Sequence, residues 1–183
     1  MSEDVSNQFE FNWTAEGLPF TEHVTSEFLQ AVIDVAQRLQ INPDDLMAVM
    51  AWESWIDPAN ENLMGSGATG LIQFMPNTAI SLGTTVEILA QMSALEQLEY
   101  VYEHLRRNGR GRMVTLSDVY MAVLWPAAVG QPGDHEIWER DCPETGNQYR
   151  WNSGLDVNQD GVITVAEATQ RVIDRRDNYF ARR

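Results

Sequence analysis

Cysteine is almost absent from this 183-residue chain. Cys142 stands alone, so no intrachain disulfide can form and no cysteine-rich zinc site can be assembled. Positive charge is scarce as well: 12 basic residues face 27 acidic ones. The resulting formal charge of −15 opposes a broad basic surface for nucleic acid or anionic lipid, and no nucleic-acid partner is expected. Also missing is any apolar run near the roughly 20 residues that span a bilayer, which predicts a soluble protein without membrane insertion. The opening MSEDVSNQFEF lacks the basic-then-apolar order of a secretory signal, so export would need another route. A 44% hydrophobic content over this length supplies one substantial core and too little chain for two large domains.

What is present reads mainly as helix. Residues 1–24 form an irregular arm in which Phe9, Phe11 and Trp13 alternate at strand spacing, bounded by Gly17 and Pro19. Phe28, Val32, Val35 and Leu39 recur at helical spacing behind a Thr25 or Ser26 cap. In NPDDLMAVMAWESWIDP, residues 42–58, Asn42 caps, Pro43 suits the first turn, and Asp44 and Asp45 complement the positive helix end. The stretch reads as an amphipathic helix with Leu46, Val49 and Met50 inward. Farther on, SALEQLEYVYEHLRRNG carries a Ser93–Glu96 capping box, an apolar stripe at Leu95, Leu98, Tyr102 and Leu105, and Gly109 as terminator. LSDVYMAVLWPAAVG then gathers Tyr120, Val123 and Leu124 before Pro126 interrupts.

Glu53 is out of place in that pattern. It lies seven residues after Leu46, roughly 20° from it around the axis, and so shares the apolar face. Pro58 disfavours helix at Asp57, which ends the helix near Trp55 and leaves Glu53 in its last turn. Desolvation and the negative helix end both penalise a carboxylate there and raise its pKa. A protonated carboxyl near neutral pH suits a general acid, and a glycosidic oxygen is a leaving group that needs a proton. The alternative is a glutamate that reaches solvent or pairs with a basic side chain.

Immediately downstream, GSGATGLIQFMPNTAISLG places Gly65, Gly67 and Gly70 in a tight loop before a helix starting at Pro76. Together, ESWIDP and GATGLIQFMPNTA resemble the soluble lytic transglycosylase and goose-type lysozyme superfamily, with the resemblance running over residues 28–130. That superfamily has a Glu-Ser pair, then Gly-Leu-Met-Gln and Pro-x-Thr-Ala, matched here by Glu53–Ser54, Gly70–Gln73 and Pro76, Thr78, Ala79. The resemblance implies an all-α, lysozyme-like fold and cleavage of the β-1,4 bond between N-acetylmuramic acid (MurNAc) and N-acetylglucosamine (GlcNAc) in peptidoglycan. It makes Glu53 the acid and base, and Ser54, Gln73 and Met75 substrate-binding positions. Packing or loop support remains open for Ser54 and Met75. Where relatives carry Ala-Tyr-Asn-Ala-Gly this chain has LWPAA. Trp125 there is a stacking candidate or a core residue. Tyr149 corresponds to a late cleft tyrosine.

The acidic charge is awkward for an enzyme of an anionic wall, and it keeps a noncatalytic wall-binding or assembly module open beside the enzyme. Transglycosylation and hydrolysis also stay open, with Asp57 and Glu61 as candidate water-activating bases.

A second motif, DVNQDGVITVAE, fits a twelve-residue EF-hand calcium loop. Asp156, Asn158, Asp160, the Val162 carbonyl, Thr164 through water, and Glu167 would be its ligands, around a structural Ca2+; an acidic turn without metal is the alternative. Thr164 and Glu167 cap an exit helix continued by Ala168, Val172 and Ile173. The entering segment QYRWNSGL is a poor helix, and no second loop pairs with this one. The expected organisation is an arm at 1–24, a core at 25–146, and a calcium loop with C-terminal helix at 147–183 packed on it. LWPAAVG followed by GLDVNQDGVIT resembles phage-encoded members of the superfamily. That implies a free endolysin or a virion-borne enzyme acting at the host periplasm and wall. Glycan strands are then the expected partner, with other virion proteins as further candidates.

Overall fold

Helices begin where the sequence supplies a cap. The computed structural model describes residues 11–14, 21–62 and 65–181. After a 3-10 turn at Thr21–His23, α1 (Ser26–Leu39) starts with the Thr25 hydroxyl accepting from the Phe28 amide, and α2 (Pro43–Ser54) starts with Asn42 accepting from Asp44. Two short helices follow, α3 (Pro76–Ser81) and α4 (Val86–Leu89). The Ser93–Glu96 capping box opens α5 (Ala94–Gly109), and an equivalent Thr115–Asp118 box opens α6 (Leu116–Leu124). β1 (Glu136–Glu139), α7 (Gly146–Trp151), β2 (Val162–Thr164) and α8 (Val165–Ala181) complete the order.

The architecture is all-α and lysozyme-like in its helical content, with one small antiparallel sheet. No helix among the described residues is long and apolar enough to cross a membrane.

α2 is the centre of the molecule. It is not amphipathic as its apolar stripe suggests: every residue from Pro43 to Ala51 is buried. The reason is enclosure by α1, α6 and α8, which leaves no solvent face. Its acidic first turn is met by charge and amides. Asn12 donates from its backbone and side chain to Asp44 at 2.8 and 2.9 Å, Trp13 donates to the Asp44 carbonyl, and Arg176 of α8 pairs with Asp45 at 2.9 Å.

Residues 11–14 have no regular strand structure; Trp13 instead stacks on Tyr179 of α8 at 4.1 Å. Phe9, Gly17 and Pro19 lie outside the described residues. At the end of α5, Gly109 is inside the helix rather than its terminator, where a Cβ would collide with the Met113 side chain; Arg110 takes the left-handed cap position.

A buried amide organises the segment after α2. Gln97 of α5 is fully buried; its Oε1 accepts from Leu71 N at 2.9 Å, and its Nε2 donates to the carbonyls of Pro58 and Leu89. Gly70 lies against this side chain with φ +83, and a Cβ there would come 2.4 Å from Gln97 Oε1. Gly70→Ala should therefore destabilise the protein by about 2–4 kcal/mol, combining a left-handed alanine with a displaced buried hydrogen-bond hub. Gly67 has φ +68 but only Pro76 nearby, at 3.5 Å, so Gly67→Ala should cost about 1–2 kcal/mol. Urea denaturation of both variants checks the difference.

Candidate active site and calcium loop

Glu53 sits in the last turn of α2, and Trp55 caps the helix with left-handed backbone. Its side chain is half-buried and has no hydrogen-bond or ion-pair partner among the described residues. Dense surroundings alone push its pKa from the ordinary 4.5 up to about 8. Desolvation, one of the two causes expected from its position, is thus the operative one.

Two residues that sequence reasoning did not assign stand beside it. Tyr120 of α6 is buried, and the nearby Glu53 charge adds to burial in raising its hydroxyl pKa. Trp52 donates its indole N–H to the Tyr120 oxygen at 3.2 Å, which leaves the phenolic proton free to be donated. Tyr120 was visible only as part of an apolar stripe; its polar end became meaningful when α6 packed on α2.

The motif residues after Glu53 mostly build the turn. Ser54 is fully buried, and its hydroxyl donates to Met50 O and to Leu71 O at 3.1 Å, so it ties α2 to the loop rather than lying open to substrate. Asn60 donates its side-chain amide to the Ser54 carbonyl, and Gly70 N donates to Asn60 O. Gln73 has φ 53, and its side chain donates to Asn60 O and Gly70 O. Met75, just before α3, is 48% exposed and available for contact. Trp125 is half-buried at the end of α6, edge-on to Trp138.

Tyr149 belongs to the other motif. It is buried, and its hydroxyl donates to Asp156 Oδ2 at 2.5 Å rather than facing an open cleft. Gly161 N donates to the same oxygen at 3.0 Å, with Gly161 at φ +92 in the sharp turn. Arg140, just after β1, donates to Tyr149 Oη and lies 3.6 Å from Asp156 Oδ2. The Tyr149 hydroxyl foremost, with the Gly161 amide and Arg140, lowers the Asp156 carboxyl pKa from its ordinary value.

Glu167 Oε2 accepts from Thr164 N and Oγ1. The other oxygens, Asp156 Oδ1 and Glu167 Oε1, are both buried with no partner. Buried carboxylate oxygens at positions 1 and 12 of such a loop fit a hard divalent cation. Asn158 and Asp160 are exposed and bond to each other; Asp160 Oδ1 also accepts from Val162 N. β2 carries Val162 and Thr164 and pairs with β1, so β1 occupies the place that a second calcium loop takes in paired EF-hands. The entering helix is short, as its composition suggests: α7 ends at Trp151 and a 3-10 turn leads to Asp156.

The raised Glu53 pKa has a definite consequence for stability. Between pH 4.5 and about 8 the folded state retains a proton that the unfolded chain has released, so stability falls as pH rises through that window. Above about pH 8 both states are ionised and the slope ends. Glu53→Gln should lack this slope, and its melting temperature should gain on the parent's between these limits. Thermal melts from pH 4 to 9 test it; parallel curves for the two proteins would show that the carboxyl is not desolvated.

Among curated proteins, none matches this chain. Residues 30–99, which run from α1 through α2 and the Gly70 turn into α5, match the family model described as Transglycosylase SLT domain. This match supports a likeness to the lytic transglycosylase and lysozyme-like superfamily over that segment.

Proposed function

We propose that the protein is a peptidoglycan lytic transglycosylase that cleaves the MurNAc–GlcNAc β-1,4 bond, with Glu53 as acid and then base. The observation that carries this reading is a desolvated carboxyl without partner, held protonated to about pH 8, inside the segment that matches the SLT domain. Glu53 gives its proton to the glycosidic oxygen, the C1–O bond breaks with its electron pair going to that oxygen, and GlcNAc leaves as an alcohol. The resulting carboxylate takes the proton of the muramic 6-hydroxyl while that oxygen attacks C1. The product is 1,6-anhydro-muramic acid, Glu53 is protonated again, and no water is consumed. Tyr120, through its free phenolic proton, steadies the carboxylate between the two steps.

Hydrolysis would need a second base to activate water. Of the two candidate bases, Asp57 accepts from Ala59 N in its own turn and Glu61 is exposed, and neither is tied to Glu53 by a hydrogen bond among the described residues, which supports internal attack over that route. Met75 and Trp125 remain the substrate-contact proposals from the motif positions. Ser54, Gln73 and Tyr149 are assigned instead to holding the two loops. Phage origin, with action at the host wall as endolysin or virion component, rests on the LWPAAVG and GLDVNQDGVIT runs.

Glu53→Gln should abolish wall cleavage while retaining the fold, since the amide matches the carboxyl in volume but cannot supply the proton. In the parent, kcat should fall above about pH 8 as the acid ionises. Mass spectra of digested sacculi should contain 1,6-anhydro ends; reducing muramic ends alone would indicate lysozyme chemistry. A folded Glu53→Gln protein cleaving at the parent rate would refute the assignment, and an inactive parent would favour the binding module.

The loop at 156–167 is proposed to hold a structural Ca2+ through Asp156, Asn158, Asp160, the Val162 carbonyl, Thr164 by way of water, and Glu167. The unpartnered Asp156 Oδ1 and Glu167 Oε1 support it. At one hundred times its dissociation constant, a cation that binds only the folded state adds about 2.7 kcal/mol. Chelation should lower the melting temperature, Glu167→Gln should weaken the calcium response, and Glu53→Gln should keep it. Calorimetry with no calcium-dependent shift in the parent would exclude the site.

A further inference from the structure

Directly after Glu53 and Ser54, the backbone turns through two left-handed residues, Trp55 at φ 58 and Ile56 at φ 64. Bulky L residues seldom take this conformation, and a β-branched residue such as Ile56 does so least readily. Ile56 is fully buried, so core packing offsets its strain. Trp55 is different: it remains 39% exposed, where glycine or asparagine would make the same corner without strain. Strain at an exposed aromatic beside a reactive carboxyl points toward function.

The corner lays the Trp55 ring against Arg175 of α8, whose guanidinium carbon is 3.7 Å from the ring centroid. The same guanidinium lies 5.1 Å from the Trp52 ring. Trp52 in turn holds Tyr120, which senses the Glu53 charge. Arg175, Trp55, Trp52 and Tyr120 therefore form one connected wall, and its two indoles flank Glu53 in the chain.

Arg175 is set apart from the other unpaired arginines among the described residues, the exposed Arg110 and Arg112, by a buried guanidinium nitrogen. Arg38, Arg106, Arg107, Arg140 and Arg176 all meet carboxylates. Arg175 makes no hydrogen bond or ion pair among the described residues, and its Nη1 is buried without an acceptor. In a protein of net charge −15, an uncompensated guanidinium is a local opening for an anionic ligand.

We propose that Trp55 and Arg175 form a glycan subsite beside Glu53, in which the indole stacks on a pyranose ring and the guanidinium takes a carboxylate of the peptide stem on the muramic residue. The apolar C–H face of a sugar suits an aromatic ring, and a guanidinium fork suits a carboxylate. The substrate identity rests on the peptidoglycan reading above; the wall itself does not.

Binding of glycan strands to the Glu53→Gln protein, by titration calorimetry and tryptophan fluorescence, separates the two. Strands carrying their peptide stems are compared with strands stripped by an amidase. Adding Trp55→Gly should leave the melting temperature unchanged or higher, because glycine relieves the left-handed strain, yet weaken binding of both strand types about tenfold. Arg175→Gln should weaken stem-bearing strands about tenfold and stripped strands less than about twofold. In the active protein both substitutions should raise KM with little change in kcat.

Parent-like affinity in Trp55→Gly, or no strand binding at all, would overturn the subsite. An equal loss on both strand types in Arg175→Gln would mean that Arg175 only braces the indole, overturning the carboxylate contact. A parent that fails to cleave while binding still depends on Trp55 and Arg175 would refute the catalytic reading and leave the subsite standing.

Discussion

Burying a helix on every side leaves its ends as the only places where its polar groups can find partners, and α2 is governed by that constraint. At its start, Asn12, Trp13 and Arg176 satisfy the acidic first turn. At its end, Ser54, Asn60 and Gln97 tie the last turn and the following chain to the Gly70 loop. Glu53 lies between these networks and belongs to neither. A carboxyl in that position loses water without gaining a hydrogen bond, and its pKa rises for that reason alone.

α8 extends the same arrangement across the molecule. Glu167 at its start closes the acidic loop at 156–167, Arg171 donates to the Gly154 carbonyl, Arg175 lies against Trp55, and Arg176 pairs with Asp45. One helix thus touches the acidic loop and both ends of α2. The β1–β2 pair anchors the loop at its other side, so ordering of the loop and seating of α8 are mechanically continuous. This gives the C-terminal segment a structural part in holding the candidate active site, even though the SLT match ends at residue 99.

Much of this was readable from local signals. Thr25, Asn42 and Ser93 act where their residue types and spacing suggest, because a cap needs only a side-chain oxygen and the next few amides. The end of α2 near Trp55 followed from Pro58, and Glu53 in the last turn followed from that. Enclosure of α2 was not readable. An apolar stripe states which face is buried at minimum, and neighbours supplied by α6 and α8 covered the rest.

Side-chain assignments divide along the same line. The sequence by itself determined the helical class, the caps, the acidic loop spacing and a carboxyl at a helix end, since each depends on residues within a turn or two of one another. Tertiary structure alone decided that Tyr149 serves Asp156, that Ser54 is a latch, that Tyr120 neighbours Glu53, and that Arg175 underlies Trp55. Those pairings join residues from 7 to more than 100 positions apart. They depend on which helix faces pack together and on how much water that packing removes, quantities that no local pattern contains.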